Sequence, residues 1–247
     1  FKQDFAYLGK LTNELRDLDV YLLSEEVYRS MLPAVLRDDI NPLFDYLRAQ
    51  RKQTLEAVIT SFDQERSKRI LLNWKTFLRE PVPETRQPAG AMTPIIELAR
   101  KRIYKHYRRI IKDGQEILKS PQDELMHALR IECKKLRYLI EFFASLFPPK
   151  KVRQLVDQLK QLQDNLGDFN DLSIQQEYLL SIAAELPVSD NKSRRALLAT
   201  GSLVESLANR QQAVKEDFAE TFTNFASTEN KELYEHLFSD KRSKKTS

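Results

Sequence analysis

Residues 127–138 read HALRIECKKLRY, and this stretch is the most informative about how the chain folds. A helix turning about 100° per residue sorts it into two faces. One face is apolar and carries Leu129, Cys133 and Leu136, the pattern of a helix packed on a core. The opposite face carries basic or aromatic residues three or four positions apart: His127, Arg130, Lys134, Arg137 and Tyr138. Because like charges in a row repel and Glu132 lies off that row, we expect an anion from outside the chain to neutralise it.

The rest of the chain is also predicted to be helical. Its 247 residues include only 5 Gly and 10 Pro, and the alternation typical of strands is lacking. Apolar spacing predicts about eight helices, with one helix ending before Gly167 and the next beginning after it. No run of 18 apolar residues occurs, so no membrane partner is expected. The single Cys133 excludes an intrachain disulfide and fits a cytoplasmic protein.

Proline clustering divides the chain. Four Pro and one Gly fall between residues 80 and 94, so a linker is predicted at 81–94. It separates a first helical repeat at 1–80 from a second at 95–238, and a solvated basic tail follows at 239–247.

Two internal alignments indicate that the helical parts are repeats. Residues 8–20 align with 162–174, and 47–62 align with 207–222. The two offsets are similar, as expected for tandem helical bundles. The first repeat then lacks counterparts of the helices predicted at 95–118 and 123–147.

Positive charge is concentrated in one part of the chain. Residues 95–138 hold 12 Lys and Arg against 6 Asp and Glu, a charge of +6, whereas the whole chain carries +4. Within that part, the helix at 99–114 presents two overlapping rows of cations: Lys101, Lys105, Arg108 and Lys112, and Arg102, Lys105, Arg109 and Lys112. A solvated basic face is the simpler interpretation. Because consecutive helices usually pack side by side, the alternative is a groove between two basic helices that captures a chain of phosphates.

Two acidic clusters allow two interpretations. Asp17 with Asp19, and Asp168 with Asn170 and Asp171, have the residue types that bind Mg²⁺ or act as acid and base. They also suit helix caps, and each cluster is expected where one helix ends and another begins. Capping is therefore favoured. No nucleophile–base pair and no glycine-rich phosphate or dinucleotide loop stands out, so no catalytic residue, metal or cofactor is expected.

Two motifs resemble those of a known family. The pattern His127-x-x-Arg130-x-x-x-Lys134-x-x-Arg137-Tyr138 is followed by LQDNLGDFND at 162–171. Together they resemble the second repeat of the CHAD family, the conserved histidine α-helical domain, and 12–20 (TNELRDLDV) resembles the matching turn of its first repeat.

The resemblance implies two four-helix bundles related by a pseudo-two-fold axis, with basic helices around a central channel that binds inorganic polyphosphate. It implies that the phosphate contacts come from the two basic helices with Lys160, and that Arg16 lies near the other half. The first-repeat histidine helix of the family is missing, so that half of the channel cannot be assigned.

We therefore expect a non-enzymatic protein that binds inorganic polyphosphate and associates with polyphosphate granules, with sulfate or phosphate able to take the same site. One alternative is a phosphoanhydride hydrolase that uses Asp168 and Asp171 with a divalent metal. Another is a nucleic-acid-binding protein that uses the same basic face.

Overall fold

The computed structural model describes residues 1–81, 91–185 and 189–239, and these residues form helices and no strand. The predicted all-α class is thereby confirmed for the described residues. Most of the predicted linker (82–90) and of the predicted tail (240–247) lies outside them. No described helix is long and apolar enough to cross a bilayer. In chain order the α-helices are α1 (Lys2–Leu23), α2 (Glu25–Met31), α3 (Asn41–Asp63), α4 (Glu65–Phe77), α5 (Ile95–Lys119), α6 (Asp123–Phe142), α7 (Pro149–Glu185), α8 (Asn191–Phe225) and α9 (Thr228–Phe238).

The chain forms two compact units. Unit 1 comprises Phe1–Gln87 and Glu177–Ser206, and unit 2 comprises Pro88–Gln176 and Leu207–Ser247. The long helices α7 and α8 each contribute to both units. These units differ from the predicted domains, because Glu177–Ser206 belongs to unit 1 although it falls within the predicted second repeat. The repeat boundaries themselves stay a prediction.

Unit 2 is built around one apolar core, formed by residues three or four apart on five helices. α5 packs against both α6 and α9. The predicted apolar face of α6 is buried, with Leu129, Cys133 and Leu136 inaccessible to solvent. Facing residues of the other helices close the core: Ile103 and Ile110 of α5, Leu155, Leu159 and Leu162 of α7, Phe218 and Phe222 of α8, and Tyr234 of α9. Each fully buried side chain of this size contributes about 1.5–3 kcal/mol to stability.

Unit 1 has a core of its own. Leu18 of α1 and Phe44 of α3 are buried where these two helices pack. Arg195, near the start of α8, binds Asp39 at 2.6 Å, and the Tyr46 hydroxyl donates to Glu185 at 2.8 Å. These polar contacts attach the segment Glu177–Ser206 to the helices that precede it.

The predicted break at Gly167 is wrong, because α7 continues through it to Glu185. The buried positions stay in helical register across the glycine, from Leu162 and Leu166 to Phe169. Their burial outweighs the roughly 1 kcal/mol that glycine costs inside a helix.

The acidic clusters consequently lie inside helices. Asp17 and Asp19 fall within α1, and Asp168, Asn170 and Asp171 fall within α7. Their interpretation as helix caps is therefore wrong.

Candidate functional site

The basic face of α6 borders an open hollow in unit 2. Arg130, Lys134, Arg137 and Tyr138 line one side of it. The other side belongs to α7: Gln163, Asp164, Gly167, Asp168 and Asp171. The hollow measures about 340 Å³. Four of the five residues of the predicted α6 row thus lie together.

Carboxylates of the chain itself compensate this row. Arg130 Nη2 lies 3.1 Å from Asp171 Oδ1, and Arg137 Nε lies 2.7 Å from Glu141 Oε1. The hydrogen bond to Glu141 raises the pKa of Arg137, and the negative charge of Asp164 adds to the effect. The expectation that this row lacks carboxylates of the chain nearby, and so needs an outside anion to neutralise it, is therefore wrong.

His127 belongs to a polar network beside the hollow. Its Nδ1 lies 2.5 Å from Asn170 Oδ1, and Asn170 Nδ2 donates to Asp171 Oδ1 at 3.2 Å. Because the amide oxygen can only accept, Nδ1 carries a proton, and in a neutral ring Nε2 then has no hydrogen. Asn170, which the sequence reading treated as a capping residue, orients this ring.

Glu132 lies buried in the seam between α5 and α6, and the sequence analysis missed its role. It is 3% exposed, and its carboxylate contacts His106 Nδ1 at 2.9 Å, Lys135 Nζ at 2.7 Å and Arg109 Nη1 at 3.5 Å. Burial raises the pKa of Glu132, but hydrogen bonds from Lys135 and His106 and the charge of Arg109 outweigh burial, so the pKa is lowered. An acidic residue at the edge of an apolar face, beside a basic helix, was the signal available in the sequence.

Replacing Glu132 with Gln should destabilise the protein in a pH-dependent way. The variant leaves the two cations Arg109 and Lys135, with the ring of His106, around a neutral amide, and we expect its free energy of unfolding to fall by about 1–3 kcal/mol at pH 7. A carboxyl whose folded pKa is lowered stabilises the fold above its unfolded pKa, about 4.3, and loses that contribution as the pH falls through the folded value. Urea unfolding should therefore show a gap between wild type and variant that shrinks below about pH 4.

Glu141→Gln provides the control for this measurement. Its carboxylate is 42% exposed and pairs with Arg137 on the same helix, so its loss should cost well under about 1 kcal/mol. A Glu132→Gln gap that stays constant down to pH 2.5 would contradict the assigned role.

The six cations of α5 that the sequence predicted as site residues fall into two groups. Arg109 is paired, with Asp113 at 3.4 Å and with Glu132. Five others are exposed and have no carboxylate within 4.0 Å among the residues that the structure describes: Lys101, Arg102, Lys105, Arg108 and Lys112. On a helix of about 100° per residue, Lys105 and Lys112 project away from the buried Ile103 and Ile110.

The predicted groove between the cations of α5 and those of α6 stays a prediction, because it is not part of the hollow beside α6. The hollow beside α6 is bounded by α7, and no α5 cation lines it. Arg108 and Lys112 instead border a second hollow of about 290 Å³, with Lys231 and Glu235 of α9. α5 and α6 meet through their apolar faces and through Glu132.

The remaining predicted residues are not among those that line the hollow. Lys160 is exposed on α7 and does not line it. Arg16 is exposed on α1, in unit 1. Asp19, also on α1, contacts Arg51 at 2.5 Å. Within the ranges that the structure covers, no group of three or more His, Cys, Asp or Glu side chains is arranged to hold a metal ion.

Comparison with known proteins yields one finding. A family model described as the CHAD domain matches residues 1–180. No curated protein matches the chain. The matched segment contains both sequence motifs and all the residues that line the hollow beside α6.

Proposed function

The chain belongs to the CHAD family, and on that premise we propose that it binds inorganic polyphosphate without transforming it. The proposal includes the family's architecture of two helical repeats around a basic groove, a cytoplasmic location and association with polyphosphate granules. The positions of the internal alignments support the repeats. Residues 8–20 and 47–62 lie on helices of unit 1, and their counterparts at 162–174 and 207–222 lie on helices of unit 2.

The observation that carries the binding proposal is the unpaired row of cations on α5. Between Lys101 and Lys112 the helix rises about 16 Å, at about 1.5 Å per residue. Five of the six exposed cations of this stretch have no carboxylate partner in the described part of the chain. A linear polyanion with a charge on every phosphate would neutralise such a row and release its counterions. Lysine meets phosphate as a point charge, and arginine can grip it with two hydrogen bonds.

The test is a titration of the whole chain with polyphosphates of increasing length at several salt concentrations. We expect affinity to rise with length, and its logarithm to fall linearly with the logarithm of salt concentration, by about 0.7 per phosphate contact on a flexible strand. Equal affinity for long polyphosphate and for pyrophosphate at one salt concentration would refute the extended row of contacts.

Two additional measurements address the alternatives. Competition between polyphosphate and RNA or DNA at fixed salt distinguishes a polyphosphate protein from a nucleic-acid-binding protein. The hydrolase alternative requires Asp168 and Asp171 to hold a divalent metal, whereas Asp171 pairs with Arg130. Incubation of the chain with polyphosphate and Mg²⁺, followed by measurement of polymer length, tests it. Shortened polymer would establish catalysis.

A further inference from the structure

Acidic and basic side chains face each other across the hollow at matching intervals. Arg130, Lys134 and Arg137 recur on α6 at steps of four and three residues, and Asp164, Asp168 and Asp171 recur on α7 with the same steps. Arg130 contacts Asp171 and Arg137 is close enough to feel the charge of Asp164, so the two helices run antiparallel. The two sets are thus aligned as a ladder.

The ladder leaves the hollow with no net charge from its lining, because three carboxylates stand against three cations. A short phosphate anion that enters it meets as much repulsion as attraction. To contact Arg130 directly, the anion has to displace Asp171, which lies 3.1 Å from the guanidinium.

The pair of Arg130 and Asp171 nevertheless leaves hydrogen-bonding capacity unused. Arg130 contacts Asp171 through Nη2 only. Its Nε is buried and has no hydrogen-bond partner in the described residues. Once Asp171 is displaced and the guanidinium is uncovered, a phosphate group can engage Nε and an Nη atom together, which a carboxylate bound at one nitrogen does not do. Phosphate is therefore a better partner for Arg130 than Asp171 is, once a phosphate group has reached the hollow.

The cations of α5, which lies in the same unit, can hold a phosphate chain that reaches the hollow. A long chain held by the unpaired α5 cations presents its other phosphates to the hollow at a high effective concentration. Pyrophosphate has no such anchor and reaches the hollow only from bulk solution.

From these contacts we propose that the carboxylates of α7, Asp171 foremost, are built-in competitors that close the hollow to short phosphate anions. A phosphate group enters by displacing Asp171 from Arg130, and a long chain anchored on α5 supplies that group. The inference rests on the proposed function and deepens it by naming the ligand class that the hollow admits.

The experiment compares Asp171→Asn with Asp157→Asn in the whole chain. Asp157 lies on the same helix, is exposed, and does not line the hollow, so the control loses the same charge at a different place. We expect Asp171→Asn to bind pyrophosphate about fivefold more tightly than the control does, the equivalent of one charge pair at about 4 Å in water. Long polyphosphate should gain no more than that factor, and its salt dependence should steepen by about 0.7, because displacement of a carboxylate no longer offsets counterion release.

Two further results decide the inference. Adding Arg130→Gln to Asp171→Asn should abolish the gain for pyrophosphate, with the helical circular dichroism signal of both variants unchanged. Pyrophosphate affinity that is unchanged or lowered in Asp171→Asn, while long polyphosphate still binds, overturns the inference and leaves the proposed function standing. Failure of wild-type protein to bind long polyphosphate overturns both.

Discussion

Removing three lysines from α5 should weaken polyphosphate binding about 100-fold at low salt. In Lys101→Gln/Lys105→Gln/Lys112→Gln, each lost charge forfeits about 1 kcal/mol, the Coulomb energy of two unit charges at about 4 Å in water. The sum of about 3 kcal/mol corresponds to about two orders of magnitude in affinity. The salt dependence should also become shallower, by about 0.7 for each lost phosphate contact.

A control variant separates this row from the total charge of the protein. Lys52→Gln/Lys68→Gln/Lys75→Gln removes the same charge from exposed positions of unit 1. We expect it to weaken binding less than about threefold, because these lysines do not belong to the α5 row and isolated surface charges contribute little in salt. Equal losses in the two triple variants would show that net charge, and not the α5 row, governs binding.

The second large effect concerns two glycines that both lie inside helices. A Cβ at Gly114 would overlap the ring of Phe222, which is buried, whereas a Cβ at Gly167 meets nothing within 4 Å. Overpacking a core costs about 1–3 kcal/mol and occasionally more, while alanine gains about 1 kcal/mol over glycine in a helix. We expect Gly114→Ala to lower the free energy of unfolding by about 2 kcal/mol, and Gly167→Ala to raise it by about 0.5–1 kcal/mol.

Denaturant unfolding followed by circular dichroism measures both effects. Phe222→Leu, combined with Gly114→Ala, should recover part of the lost stability, because the shorter side chain vacates the space that the new methyl group needs. If Gly114→Ala proved as stable as wild type, the close packing of α5 against α8 would be wrong.

The carboxylates of α7 opposite the cations of α6 change the interpretation of the basic motif at 127–138. Seen alone, α6 presents a row of cations that calls for an external anion. In the folded chain, Arg130 and Arg137 already have carboxylate partners, whereas five cations of α5 have none among the described residues. In the function that we propose, the residues that attract a polyanion and the residues that select it are thus carried by different helices.

Helix positions and faces were predictable because they depend on neighbours within four residues. The apolar spacing in 127–138 predicted the buried face of α6, and the pattern in 99–114 predicted that of α5. The prediction failed at Gly167, where a local helix-breaking signal was opposed by core packing from leucines on both sides. That failure led directly to the wrong interpretation of Asp168 and Asp171 as caps.

The sequence by itself determined the all-helical class, the family motifs and the residues that line up on each helix, because a helix repeats every 3.6 residues whatever surrounds it. Only the tertiary structure decided which helix lies beside which. The contacts that define the site join residues far apart in the chain: Glu132 with His106, Arg130 with Asp171, and His127 with Asn170. Each of these contacts depends on which apolar faces pack together. The spacing of polar residues along a single helix does not reveal that packing.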